Sequence, residues 1–157
     1  MNQNRPDKDT FYLRIAREVS TRSTCLRTHY GAVLVRDDTM ISSGYNGAPR
    51  GDENCIDKGD CLRTKLGLTR GQNYELCCAI HAEDNAITNA GREAIGSTLY
   101  IAGVDAQTGE LHNAEPCIMC ARKIRNMRIA RIVGLTPEGP VDYTDKVYSA
   151  THKIEEP

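Results

Sequence analysis

The 157-residue chain carries 39% apolar and 26% charged residues and a formal net charge of −1, which predicts one globular domain over 1–157. The near-neutral charge excludes a protein built to grip long nucleic acid, which shows a basic surplus, and no apolar run approaches the ~20 residues that span a bilayer. The N-terminal MNQNRPDKDT has no apolar h-region, which predicts a cytoplasmic protein; seven cysteines, an odd number, then point to metal ligation ahead of a disulfide framework.

Asp7 is the expected N-cap of a first helix, in which Phe11-Tyr12, Ile15-Ala16 and Val19 recur at helical spacing. Gly31 to Val35 reads as a buried strand, Asp37-Asp38 as a turn, and Met40 to Gly44 as the returning strand of a hairpin. Residues 45–76 are rich in Gly, Asn, Asp and Arg and read as irregular; so long a stretch inside a compact domain is usually functional. Ala79 to Ala90 reads as a helix stopped by Gly91. Thr98 to Ala102 reads as a short strand and Gly103 to Glu115 as a loop. Pro116 stands where proline fits a helix start, with the helix running to about Asn126. Ile129 to Leu135 is a further strand, and Val141, Val147 and Tyr148 suggest a last helix. With no Trp and a single Phe the core is aliphatic, and helices alternating with strands predict an α/β sandwich.

The chemistry gathers at His81-Ala82-Glu83 and Pro116-Cys117-Ile118-Met119-Cys120. Two cysteines three apart at a helix start share a face, so both sulfurs reach one ion, and exposed N–H groups there favour the thiolate that binds metal. His81 supplies a third ligand, leaving zinc one open position for water, as in a catalytic site. Two thiolates cancel the charge of the ion, so water on it is less acidic than on a tri-histidine site and a carboxylate base is needed beside it. Glu83 is placed for that role. The competing arrangement is a closed structural zinc site, with Cys77 or Cys78 as fourth ligand and Glu83 only capping a helix. The joint occurrence of both motifs favours the enzyme over that zinc-stabilised binding module. H-x-E with a later P-C-x-x-C is also the signature of zinc base deaminases.

At these residues the chain resembles the cytidine deaminase superfamily, and within it the deoxycytidylate (dCMP) deaminases. The resemblance extends to Gly44-Tyr45-Asn46-Gly47-Ala48-Pro49-Arg50-Gly51 and to Ser23-Thr24-Cys25-Leu26-Arg27, and covers roughly residues 10–135. It implies a three-layer α/β/α sandwich around a mixed sheet of about five strands, and zinc-dependent hydrolysis of dCMP to dUMP and ammonia. Glu83 would move protons, main-chain groups of Ala82 and Cys117 would contact the base, and Asn46 would touch the deoxyribose. Arg27 is the candidate for the 5′-phosphate, since a guanidinium suits phosphate oxygens; the alternative is a solvated surface charge. Some relatives are hexamers regulated by dCTP and dTTP through a Gly-Tyr-Asn-Gly loop. The resemblance therefore implies a homo-oligomer, an allosteric role for Gly44, Tyr45, Asn46 and Gly47, and Mg2+ carried only with a triphosphate. Relatives also carry a second, structural zinc, for which Cys25, Cys55, Cys61 and Cys77 are the candidates and Cys78 the spare; buried free thiols are the alternative. The stretch 101–115, with Asp105, Gln107, Thr108, Glu110 and His112, is longer than the link common in the family; because it leads straight into the zinc ligands it could cover the pocket and change substrate size preference, and the alternative expectation is a surface insertion. A deaminase of another cytosine nucleoside or nucleotide, or of tRNA adenosine, shares the zinc motifs; the tRNA enzymes usually lack the Gly-Tyr-Asn-Gly segment.

Overall fold

The computed structural model describes residues 4–149. Helix α1 (Lys8–Ser20) begins where the Asp7 carboxylate accepts the Thr10 N–H at 2.8 Å, satisfying one of the free amides of the first turn. It buries Tyr12, Leu13, Ala16 and Ser20. Phe11, expected on the inner face, is 47% exposed; Leu13, 1% exposed, takes that place. Strands β1 (Thr28–Arg36) and β2 (Thr39–Tyr45) form an antiparallel hairpin. Its two turn residues, Asp37 and Asp38, have φ of 50° and 57°, the doubly left-handed turn that matches the twist of a two-residue hairpin.

The segment 45–76 is not wholly irregular. It contains two single-turn helices, α2 (Cys55–Lys58) and α3 (Leu62–Lys65), and a 3-10 turn at Tyr74–Leu76. Helix α4 (Ala82–Ala90) starts three residues later than the apolar pattern suggests, because His81 takes the N-cap. Strand β3 (Thr98–Asp105) runs three residues past its expected end, and a two-residue strand β4 (Leu111–His112) pairs back onto it. The expected loop is therefore partly a hairpin: Gly103 and Val104 pair with His112 and Leu111. Helix α5 (Ile118–Asn126), strands β5 (Arg131–Thr136) and β6 (Gly139–Asp142) and helix α6 (Thr144–Ser149) follow. Val141 thus lies in a strand; Val147 and Tyr148 lie in the last helix.

The sheet runs β2-β1-β3-β5-β6, with β4 off this path beside β3. Among the described residues only β3 and β5 are parallel; the other pairs are antiparallel. Alternation along the strands divides the core into two layers. Val33, Val35, Tyr100, Ala102 and Val133 pack with Tyr12, Leu13 and Ala16 of α1. Ala32, Leu34, Leu99, Ile101 and Ile132 pack on the other face with Ala82, Ala86 and Ile87 of α4 and Ala121 and Ile124 of α5. Helices on both faces make the expected three-layer α/β/α sandwich. Among the described residues no helix is long and apolar enough to cross a membrane.

Asp9 locks α1 to the sheet. Both its oxygens accept from Arg131 of β5, at 2.7 and 2.8 Å, and Tyr100 donates to it at 2.9 Å. The Arg131 guanidinium holds the Asp9 carboxyl below the usual aspartate range. A carboxyl depressed on folding stabilises the protein above its unfolded value, and that stabilisation is lost as pH falls through the folded value. The Arg131 side chain is 40% exposed, so solvent screening limits the contribution to about 1 kcal/mol. Thermal unfolding of the wild type should fall off below about pH 4, the unfolded aspartate value. Asp9→Asn should be less stable at neutral pH and show a shallower acid decline; identical pH profiles for the two proteins would remove the ion pair as a source of stability.

Candidate active site

Two helix starts meet beneath one cavity. His81 is the N-cap of α4 and Cys117 the N-cap of α5, both in extended backbone, so each side chain leaves at the open end of its helix. Cys120 sits one turn into α5, and its N–H donates to Cys117 Sγ at 3.5 Å. The two helices are tied by the Lys123–Asp84 ion pair. His81 Nδ1 lies 3.4 Å from Sγ of Cys117 and 3.4 Å from Sγ of Cys120. The three ligand atoms all lie within 4.8 Å of one another. A tetrahedral zinc with its usual bond lengths puts nitrogen and sulfur about 3.6 Å apart, so these atoms stand at the spacing of three corners. Two sulfurs and an imidazole also form a donor set that zinc prefers.

The ionisable groups of the site act on one another. The thiol of Cys120, with the His81 ring and the Cys120 N–H, holds the Cys117 thiol at about 4 against the opposing effect of burial. The same contact, together with burial, pushes the Cys120 thiol up. Contact with Cys117 raises the His81 imidazole, opposed by burial. Glu83, in the first turn of α4, is 6% exposed, and burial pushes its carboxyl up, opposed by His81. A carboxyl so placed exchanges protons closer to neutrality than a solvated one.

His81, Ala82, Glu83 and Cys117 line a cavity of about 210 Å³. Arg27 lines it as well, and its Nη1 is buried without a hydrogen-bond partner among the described residues. Such an orphaned donor is costly unless a ligand completes it. Asn46 also reaches the cavity, but its amide is mostly engaged. Oδ1 accepts from Ser23 Oγ at 2.6 Å and Tyr30 N at 2.8 Å, and Nδ2 donates to Thr28 O at 2.9 Å, leaving one amide N–H for a ligand.

The glycine loop has a packing reason of its own. A Cβ on Gly44 would lie 2.4 Å from Ala86 N and 2.6 Å from Ala82 O, so the glycine admits α4. Gly47 would meet Thr24 Oγ1 at 2.5 Å. Gly44, Asn46 and Gly47 are buried, and Tyr45 alone of the four is exposed.

Cys25, Cys55, Cys61 and Cys77 line the same cavity but do not draw together as the catalytic set does. Among the described residues His81, Cys117 and Cys120 form the one group of three or more metal-ligating side chains within ligand reach. Cys55 Sγ lies 3.6 Å from Sγ of Cys78, the spare cysteine of the expected set.

Several cavity residues escaped the sequence reading. Tyr30, Arg63, Arg70, Tyr74 and Glu115 line the wall, beside His112, which the sequence had already singled out in the 101–115 stretch. That stretch thus contributes His112 and Glu115 to the pocket, as its pocket-covering alternative had it, and is not a plain surface insertion. Arg70 reaches across to the carbonyls of Asn113 and Glu115, each at 3.2 Å. The only signal in the sequence was the density of arginine in a segment with little apolar content, and it does not say which arginines turn inward.

The family model for the cytidine and deoxycytidylate deaminase zinc-binding region matches residues 6–136. The deoxycytidylate deaminase of Mycobacterium phage D29 is 38% identical over 136 residues, covering 83% of this chain and 95% of that protein. The deoxycytidylate deaminase of Schizosaccharomyces pombe is 34% identical over 132 residues and 84% of this chain, and the chain spans 38% of that protein's length. Among solved structures, the dCMP deaminase of cyanophage S-TIM5 in complex with dCMP and dUMP superposes with a TM-score of 0.60, at 24% identity, over 84% of this chain and 83% of that one; the likeness there is one of fold. With its zinc-type donor set and a match over most of its length, the chain belongs to the cytidine and deoxycytidylate deaminase zinc-binding family.

Proposed function

We propose that the chain hydrolyses dCMP to dUMP and ammonia, supplying precursor for thymidine nucleotides. The observation that carries this reading is the convergence of His81 Nδ1, Cys117 Sγ and Cys120 Sγ beside a buried carboxyl, at a cavity edged with arginine. His81, Cys117 and Cys120 would hold zinc, which when bound supplies a Lewis acid that acidifies water. Glu83 accepts the proton of the attacking water and delivers it to N3 of the cytosine ring as the oxygen adds to C4. It then carries the second water proton to the exocyclic nitrogen, the C4–N bond breaks, and ammonia leaves a uracil ring. Burial of Glu83 supports this double duty, because its charged and neutral forms are brought closer in energy. The main-chain groups of Ala82 and Cys117, both on the cavity wall, orient the base. The free amide N–H of Asn46 meets the deoxyribose.

The 5′-phosphate is the partner of the Arg27 guanidinium. Arg63, Arg70 and His112 line the same cavity, against Glu83 and Glu115, so the field there favours an anion although the chain as a whole carries −1. That balance also separates this reading from a tRNA deaminase. Following ammonia release from dCMP, deoxycytidine, dCTP and cytosine tests it: dCMP should turn over fastest. Arg27→Ala should lower kcat/KM on dCMP about 10- to 100-fold, the worth of one charge-assisted hydrogen bond, mostly through KM, and leave deoxycytidine nearly unaffected. Equal losses on both substrates would defeat the phosphate assignment.

The same reading places the protein in the cytoplasm as a homo-oligomer, with dCTP or dTTP and its Mg2+ acting at the Gly44–Gly47 loop. Exposed Tyr45 is the contact available there, and Gly44 packed on α4 is its link to Glu83. A second zinc belongs to the cysteines around α2, of which Cys25, Cys55, Cys61 and Cys77 line the cavity wall. Metal analysis counts it.

A further inference from the structure

A metal-bound imidazole is usually oriented by a hydrogen bond from its other ring nitrogen to a carboxylate or carbonyl, and loss of such a partner typically weakens the metal by 10- to 100-fold. Among the described residues the His81 ring has hydrogen-bond partners on Nδ1 only, and these are the two sulfurs. The ring also has an aromatic neighbour. Tyr74 packs perpendicular to it, with ring centroids 5.0 Å apart and an interplanar angle of 89°. That is the edge-to-face arrangement aromatic rings prefer.

Tyr74 is itself fixed at its tip and on one face. Its hydroxyl accepts the Gly71 N–H at 3.0 Å, and the Arg63 guanidinium lies 4.8 Å from its centroid. Arg63 is 5% exposed. Its Nη1 donates to Gln72 O, and its Nη2 to Thr69 O at 2.6 Å. A buried guanidinium without a carboxylate partner among the described residues is costly to place, and a cation over an aromatic face recovers part of that cost when both are desolvated. The same turn reaches the other half of the site, because Arg70 grips the carbonyls of Asn113 and Glu115 just ahead of Cys117.

Resting on the metal-centre reading above, we infer that Tyr74, clamped by Arg63, is the positioning residue that orients the His81 imidazole toward the metal. The 62–76 segment would then act as an outer brace of the metal centre.

Zinc affinity of the full chain, measured by competition with a chromogenic chelator, tests this, with the visible absorption of the cobalt-substituted protein as a readout of ligand geometry. Tyr74→Leu, which removes the ring, should weaken zinc at least about tenfold and alter the cobalt bands while far-UV circular dichroism stays native. Tyr74→Phe, which keeps the ring and loses only the Gly71 contact, should remain close to wild type. Wild-type affinity in Tyr74→Leu, or an equal loss in Tyr74→Phe, would overturn the inference. Should Tyr74→Leu not fold, Arg63→Met carries the comparison: weaker zinc and changed cobalt bands support the brace, and wild-type behaviour overturns it. His81→Ala run alongside separates the two levels. Retention of wild-type affinity by His81→Ala, or a wild type that takes up no zinc, overturns the metal centre itself. Loss in His81→Ala with none in Tyr74→Leu overturns only the brace.

Discussion

Glu83→Gln should leave a folded protein that binds zinc as the wild type does and deaminates at least about a hundredfold more slowly, because general acid–base catalysis is worth roughly 10² to 10⁴. The amide is nearly isosteric with the acid, and the buried position suits a neutral group: burial already pushes the Glu83 carboxyl up. Stability should therefore hold or rise slightly. The amide cannot take a proton from water, hand it to N3, or bring the second one to the departing nitrogen. The comparison needs only ammonia release and metal content on the two purified proteins. Activity within a few-fold of wild type would remove Glu83 from the chemistry. Lost activity together with lost zinc would instead make it part of the metal site.

Gly44→Ala should be among the most damaging single changes outside the metal ligands. The added Cβ would stand 2.4 Å from Ala86 N, 2.6 Å from Ala82 O and 2.8 Å from Asn85 C. All three are backbone atoms of α4, so no side-chain rotation relieves the overlap; strand and helix must part. Overpacking of this kind costs about 3 kcal/mol, a large share of the roughly 5–15 kcal/mol that keeps a domain folded. The contact is also stitched by polar side chains. Ser42 Oγ donates to Ala86 O at 2.7 Å, Asn85 to Tyr45 O and Asn89 to Ser43 O, both at 2.8 Å. Displacing α4 strains these bonds and moves His81 and Glu83 relative to Cys117, so zinc affinity and turnover should fall with stability. Urea unfolding should show a lower midpoint, and a midpoint equal to wild type would mean that β2 and α4 are less tightly apposed.

Local signals were the legible ones. Asp7 followed by an apolar stripe marked α1, and the Asp37-Asp38 turn needed only its neighbours to be read. The motif residues were legible because two cysteines at one helix start are related by helical spacing alone. What the sequence obscured depends on partners far along the chain. Phe11 and Leu13 both fit an apolar stripe, and only the position of the sheet decides which is buried. Strand β3 continues past Ala102 through Gly103, where a Cβ would stand 2.3 Å from the Tyr30 ring: the glycine admits a neighbour that no local pattern announces. Gly44 invited a ligand-loop reading for the same reason, where the close approach is that of a helix. The arginines at 63 and 70 sit in a stretch with no hydrophobic period, and no pattern there says which side chain turns inward. Their roles follow from carbonyls at 69, 72, 113 and 115, which come together only once the cavity has formed.

Crystals of the zinc-loaded protein, with anomalous diffraction measured at the zinc edge, bear most directly on the metal centre. The expected result is an ion bonded to Nδ1 of His81 and to the sulfurs of Cys117 and Cys120, with a solvent oxygen completing the tetrahedron on the side of Glu83. A fourth protein atom in that place, or zinc bound only among the cysteines around α2, would contradict the account.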